Sequence, residues 1–276
     1  MDLRQLALEA LCIADPVRKA YAVQALWART QAQTGAQTVP LDPDAVLAEP
    51  PGVPGRPERP VLVRADAVPP RSPFTLVGRA ALLHAIAHIE KNAIDLALDA
   101  VWRFSGLPTA YYLDWLRVAA EEATHHLLVA EHLATLGYTY GDFEAHDGLW
   151  TMTWKTRGDF VARMALVPRT LEARGLDATP LIQTKLRKAG DLRAVEILDV
   201  ILRDEVGHVA IGNHWYRWAC AREGIDPVAH YRVLVAQYEA PRLRPPFNRA
   251  ARLAAGFSDE ELAFLEAPLA TPPSGS

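Results

Sequence analysis

Two stretches of this chain, 83 positions apart, carry the same acid–imidazole pattern, and that repeat limits what the chain can fold into. Glu122-Ala-Thr-His125 is one Glu-x-x-His; Glu205-Val-Gly-His208 is the other. Residues three apart share one face of a helix, so each motif points a carboxylate and an imidazole the same way. A single match is weak evidence. The spacing around the pair is strong. Glu90 precedes Glu122 by 32 residues and Glu172 precedes Glu205 by 33. The chain therefore reads as two helical hairpins of equal internal spacing, each offering one Glu and then one Glu-x-x-His.

The surrounding pattern predicts helices. One runs from the Ser72-Pro73 start signal to about Ser105, where Gly106-Leu107-Pro108 breaks it. A second runs from Pro108 to Leu136 and stops at Gly137. Next comes a connection bearing Tyr138, Tyr140, Phe143, Trp150 and Trp154. A third helix is expected over 157–174, ending at Gly175, with Thr179-Pro180 capping a short helix to Lys188. Asp191 opens a fourth long helix to Glu223, and further helices are expected near 227–239 and 258–266. No run alternates like a strand. Two hairpins joined by a long crossover describe an all-α four-helix bundle over residues 74–224.

Three further segments flank it. Residues 1–35 read as a helical extension with a joint at Asp15-Pro16 and a stop at Gly35. Residues 36–73 hold ten of the 21 prolines, which rules out regular helix or central strand, and their Val61, Leu62, Val63 and Val68 predict a strap packed on the body. Residues 225–276 form a C-terminal helical extension and tail.

Composition narrows the function classes. With 50% hydrophobic and 22% charged residues the chain can build a core. A net charge of −4 argues against an obligate polyanion binder. Arg242, Arg244, Arg249 and Arg252 could touch phosphates, but the overall acidity favours a solvated face, so nucleic acid is not favoured as a partner. Two distant cysteines, Cys12 and Cys220, make neither a zinc knuckle nor a rubredoxin module. Free thiols, no apolar run long enough for a membrane span and no leader-like start suggest a cytoplasmic protein without membrane partners.

Four carboxylates and two imidazoles are what a pair of divalent iron or manganese ions needs, and four buried glutamates without cations would have to take up protons. Glu90 shares its helix face with Leu83, Ile86, Ala87, Ala93, Ile94 and Ala97; Glu122 shares its face with Trp115, Val118, Ala119 and Val129. Such apolar stripes interrupted by an acid mark an inward-facing site. Glu121 and Asp204, just before each motif Glu, are expected outside the ligand set, as is His126. His84 and His88 lie off the face of Glu90. Pro168, four residues before Glu172, is expected to kink its helix and open a route to the site. Trp215, Tyr216 and Trp218 could relay electrons, though aromatic residues at helical spacing are more often core.

The segments around Glu90 (His-Ile-Glu), Glu122 (Glu-Glu-Ala-Thr-His-His), Glu172 (Glu-Ala-Arg-Gly-Leu-Asp) and Glu205 (Arg-Asp-Glu-Val-Gly-His-Val) resemble the ferritin-like superfamily of di-iron carboxylate proteins. Within it they resemble a branch of bacterial ferritin-like proteins similar to the di-iron hydroxylase that modifies a tRNA base. The resemblance covers about 75–220. It implies a di-metal centre, two iron ions or a manganese-containing pair, ligated by Glu90, Glu122, His125, Glu172, Glu205 and His208. The Pro-rich strap and the long aromatic crossover, costly decorations for iron storage, weigh toward an O2-activating oxidase or hydroxylase of a small or base-sized organic substrate, with an unidentified electron donor; a homodimer is compatible with this. The alternatives are a ferroxidase or peroxide scavenger, and a non-catalytic metal-binding scaffold.

Overall fold

The structure is a computed structural model and describes residues 1–32, 39–241 and 243–267. Among them it is all-helical. The elements in chain order are α1 (Leu3–Leu11), α2 (Pro16–Gln31), α3 (Leu76–Arg103), α4 (Thr109–Thr135), α5 (Gly148–Lys155), α6 (Phe160–Leu166), a π-helical turn (Val167–Glu172), α7 (Ala173–Lys188), α8 (Leu192–Glu223), α9 (Pro227–Gln237), α10 (Arg249–Ala254) and α11 (Asp259–Glu266). The only extended pairing in the described residues is an isolated parallel bridge between Leu62 and Ala145.

Local chemistry sets the ends of the long helices. Asp15 caps α2 by accepting from the Arg18 amide at 2.7 Å, with Pro16 in the first turn. α3 begins three residues later than the Ser72-Pro73 signal. Thr75, not Ser72, caps it by accepting from Gly78 at 3.1 Å. Gly78 is required there: a Cβ would lie 1.8 Å from the Ser72 carbonyl oxygen, which folds back over the first turn. Asp191 caps α8, and Gly224 closes it with φ near 68°. The stop assigned to Gly35 lies outside the described residues, as does the 36–38 start of the strap.

The third helix differs from expectation. It does not end at Gly175, and Thr179-Pro180 caps nothing. Instead α6, the π turn and α7 run on without a break from Phe160 to Lys188. Pro180 cannot donate to the Leu176 carbonyl, which would be its partner in an α-helix. That carbonyl accepts instead from the Asn248 side chain at 3.2 Å, so the helix continues past the proline. The short helix α10 was not expected.

The core runs between α3, α4, α6 and α8, with α1 and α2 packed over α3 and α4. Described strap residues lie on this body through specific bonds. The Val63 amide donates to Ala145 and the Ala145 amide to Val61, at 2.8 and 3.1 Å, and Arg56 pairs with Asp147 at 2.7 Å. No helix in the described residues is long and apolar enough to cross a membrane.

Candidate metal centre

Glu90 on α3, Glu122 and His125 on α4, Glu172 at the end of the π turn, and Glu205 and His208 on α8 are all buried. The apolar residues expected beside Glu90 and Glu122 are buried as well. Glu90, Glu122 and His125 bring one ligand atom each within 4.8 Å of one another, and so do Glu122, Glu205 and His208. Glu122 belongs to both groups. Its Oε2 lies 3.2 Å from Nδ1 of His125, and its Oε1 lies 2.9 Å from Nδ1 of His208. Nδ1 of His125 is also 3.3 Å from Glu90 Oε2. The two imidazole rings stand 5.8 Å apart. Glu172 belongs to neither group, although its carboxyl is buried and both of its oxygens lack a donor.

The outer nitrogens of the rings are also occupied. Nε2 of His125 lies 3.1 Å from Asp204 Oδ2, and Nε2 of His208 lies 2.7 Å from Glu121 Oε2. Glu121 and Asp204 thus stand outside the cluster and orient the imidazoles, leaving both Nδ1 atoms facing the glutamates.

The electrostatics are those of a site short of positive charge. Burial, reinforced by Glu122, pushes the carboxyl groups of Glu90 and Glu172 up to about 8 and raises Glu205 well above the carboxylate range. Burial also opposes ionisation of Glu122, but His208 and His125 outweigh it and hold that carboxyl below its usual range. The same carboxylates outweigh the burial of His125 and His208 and raise both imidazoles. Both oxygens of Glu172, and one each of Glu90, Glu122 and Glu205, have no hydrogen-bond donor although buried. Unpartnered buried carboxylate oxygens are costly unless a cation or proton meets them. A carboxylate and imidazole donor set of this composition fits divalent iron or manganese.

The other candidate residues fall elsewhere. His126 turns away from the cluster, with Nδ1 2.9 Å from the Ala87 carbonyl. His84 accepts from the Gly141 amide at 2.9 Å, and His88 pairs with the Tyr140 hydroxyl at 2.8 Å. Pro168 lies in the first turn of the π segment. It is buried, and its ring sits against Gly212 of α8, where a Cβ would come within 2.6 Å. Trp215 and Tyr216 are core residues, with Trp215 donating to Asp114 and Tyr216 to the Pro227 carbonyl. The arginine run is not a solvated face throughout: Arg252 is buried on Asp177 at 2.6 Å, and Arg249 pairs with Glu266 and Asp259. Arg242 lies outside the described residues. Cys12 and Cys220 are free thiols.

Sequence reasoning missed a set of buried ion pairs around the site. Asp95 of α3 is buried between Lys19 and Lys91, and Asp99 holds Arg163 and Arg103. The signal was present: two acids inside the apolar run Ala93–Val101 demand buried cations.

The described residues form an all-helical body with buried glutamates and histidines grouped so that they could hold a metal ion. The chain belongs to the family described as "Protein of unknown function (DUF455)", whose model matches residues 12–263. It is similar to a chain from Haemophilus influenzae described as an uncharacterized protein, with 54% identity over 213 residues, covering 75% of this chain and 74% of that one. No solved structure matches it.

Proposed function

We propose that the cluster holds two divalent metal ions, iron or a manganese-containing pair, in a ferritin-like four-helix bundle with a long crossover. We further propose that the protein is an O2-activating oxidase or hydroxylase of an organic substrate. One observation carries the reading: Glu122 presents one oxygen to each Nδ1, amid buried carboxylate oxygens that have no donor. In this reading Glu90, Glu122 and His125 would hold one ion and Glu122, Glu205 and His208 the other, with Glu172 as a further carboxylate for the pair. Two iron ions, when bound, supply the electrons that reduce O2 and the oxidising power to attack a C–H or N–H bond.

The chain's own residues prepare that chemistry. Asp204 and Glu121 hold the Nε2 protons, which leaves each Nδ1 lone pair directed at the cluster. Ala87, Ile94 and Ala97, on the helix face of Glu90, and Val118 and Ala119, on that of Glu122, are buried, so those faces are closed to bulk water. The described strap, tied to the crossover at Ala145, is a more elaborate cover than iron storage requires and suits a wall for an organic substrate.

The test is anaerobic Fe(II) titration and then exposure to O2. Two ions per chain and a fast optical transient support the proposal. Failure to retain iron overturns the metal reading. Iron oxidation that consumes added Fe(II) over many turnovers would make the protein a ferroxidase instead.

A further inference from the structure

Of the six candidate residues, Glu172 alone is presented by irregular helix, and it is buried with neither carboxylate oxygen meeting a donor. It ends the π turn Val167–Glu172, where the Ala173 amide reaches back to the Pro168 carbonyl and the Thr170 hydroxyl donates to Ala165 at 2.8 Å. A π turn inserts one residue relative to α-helix, so drawing it back into α register rotates the downstream helix by about 100° and shifts it by about 1.5 Å. Either change would take the Glu172 carboxylate off the cluster. Such a turn persists only where its surroundings fix it.

Those fixing contacts come largely from the C-terminal extension. Arg169, at 2% exposure, lies three residues before Glu172. Its Nη2 is 2.6 Å from Glu261 Oε1 of α11, and its Nη1 donates to Asn213 Oδ1 at 2.5 Å. Asn213 in turn donates to the Ala255 carbonyl just beyond α10. The guanidinium carbon lies 4.7 Å from the Phe257 ring centroid and 5.1 Å from that of Tyr231 of α9. Tyr231 also shares a hydrogen bond with the Thr170 hydroxyl at 2.9 Å. Glu261 is itself pinned, because it accepts from the Ser258 amide in a capping box and pairs with Arg217.

We propose that Arg169 is a positioning residue, through which α9–α11 hold the π register that delivers Glu172 to the centre. The C-terminal extension is then part of the site's machinery, although none of its residues is a ligand. The proposal rests on the metal reading for its consequence, but its structural half stands without metal.

The experiment uses the full chain and has two arms. Arg169→Ala leaves Asn213 and Glu261 without their shared partner and is at risk of failing to fold, so Glu261→Ala is the working variant and Glu261→Gln its conservative control. In the first arm, a metal-free structure of Glu261→Ala should show 167–172 relaxed toward α register with Glu172 turned off Glu122. In the second, anaerobic Co(II) titration read by absorption should show two ions in the wild type. Glu261→Ala should weaken the second ion about 10-fold or more, and leave the ion held by Glu90, Glu122 and His125 unchanged. Glu261→Gln keeps an oxygen acceptor for Arg169 and should restore most of the loss. An intact π turn and two unchanged isotherms in a folded Glu261→Ala chain overturn the proposal. If the wild type takes up fewer than two ions, the metal reading falls and the first arm alone decides the clamp.

Discussion

Nε2 of His125 lies 3.1 Å from Asp204, the residue that directly precedes Glu205 in the opposite motif. The mirror contact, His208 to Glu121, is 2.7 Å. Each acidic pair, Glu121-Glu122 and Asp204-Glu205, therefore divides its labour. Successive side chains on a helix diverge by about 100°, so one carboxylate turns inward while its neighbour reaches across to the other hairpin's histidine. Each outer acid is also near an arginine, Arg203 at 2.8 Å from Asp204 and Arg117 at 3.7 Å from Glu121.

That crossing predicts the effect of weakening the outer acids. Asp204→Asn and Glu121→Gln keep shape but remove charge, so each imidazole loses basicity and its orientation loosens. Each variant should lose about 10- to 100-fold in metal affinity. Anaerobic Co(II) titration measures it, and wild-type affinity in both variants would reduce the two acids to surface residues.

The metal-free chain should become less stable as pH rises. Glu90 and Glu172, pushed up to about 8 from 4.5, hold protons when folded that the unfolded chain has already released. The folded state therefore binds more protons between those values, and stability falls with pH across that window. The raised imidazoles of His125 and His208 act in the same direction above 6.5, and the lowered carboxyl of Glu122 matters only below 4.5. The loss should be on the order of a few kcal/mol in total. Bound divalent metal, which replaces those protons, should flatten or reverse the trend. Thermal unfolding at pH 5, 6.5 and 8, with chelator and with metal, reads it out.

Gly212 should tolerate no side chain. Its Cβ would lie 2.5 Å from the buried Pro168 ring, which is rigid and cannot rotate aside as a flexible side chain would. Gly212→Ala should destabilise by about 1–3 kcal/mol. Gly207, one residue from His208, is the contrast: its Cβ would meet only the tip of Arg117 at 4.0 Å. Gly207→Ala should gain about 0.5–1 kcal/mol from helix propensity. Urea unfolding of the two variants compares them directly.

Asp95 should matter more to stability than any exposed acid. It is buried between Lys19 and Lys91, and burial lowers the Lys19 ammonium to about 8 even with Asp95 beside it. Asp95→Asn removes the charge that balances two buried ammonium groups. It should cost about 3–5 kcal/mol, seen as a lowered urea midpoint.

Most helix positions, and the grouping of Glu90, Glu122, His125, Glu205 and His208, were legible because both obey a repeating geometry. Three-residue spacing fixes a helix face, and the doubled 32- and 33-residue intervals fix which faces meet. The course of 160–188 was not legible, because it depends on partners far along the chain. Pro180 stays helical because Asn248 satisfies Leu176, and Pro168 stays buried because Gly212 makes room for it. The roles of Asp204 and Glu121 were half legible. Their exclusion came from the matched three-residue motifs and the shorter side chain of Asp204, whereas their crossing to the opposite histidine needed the three-dimensional packing of α4 on α8.

Adjacent histidines give the most direct check on the register of α4. His125 faces the cluster with Nδ1 and Asp204 with Nε2, while the His126 ring packs edge-on to Tyr140 and bonds Ala87. His125→Ala removes a ligand of the ion it shares with Glu90, so metal content should fall toward one ion per chain and O2 reactivity should vanish. His126→Ala removes a buried ring and its bond to the Ala87 carbonyl, so it should lower stability by about 1–3 kcal/mol through lost packing and one lost hydrogen bond. Its metal content should stay near wild type. Metal analysis after desalting separates the two cases, because a stability defect and a ligand defect move different quantities. If His126→Ala strips the metal while His125→Ala keeps two ions, α4 is one residue out of register and the cluster must be rebuilt around His126.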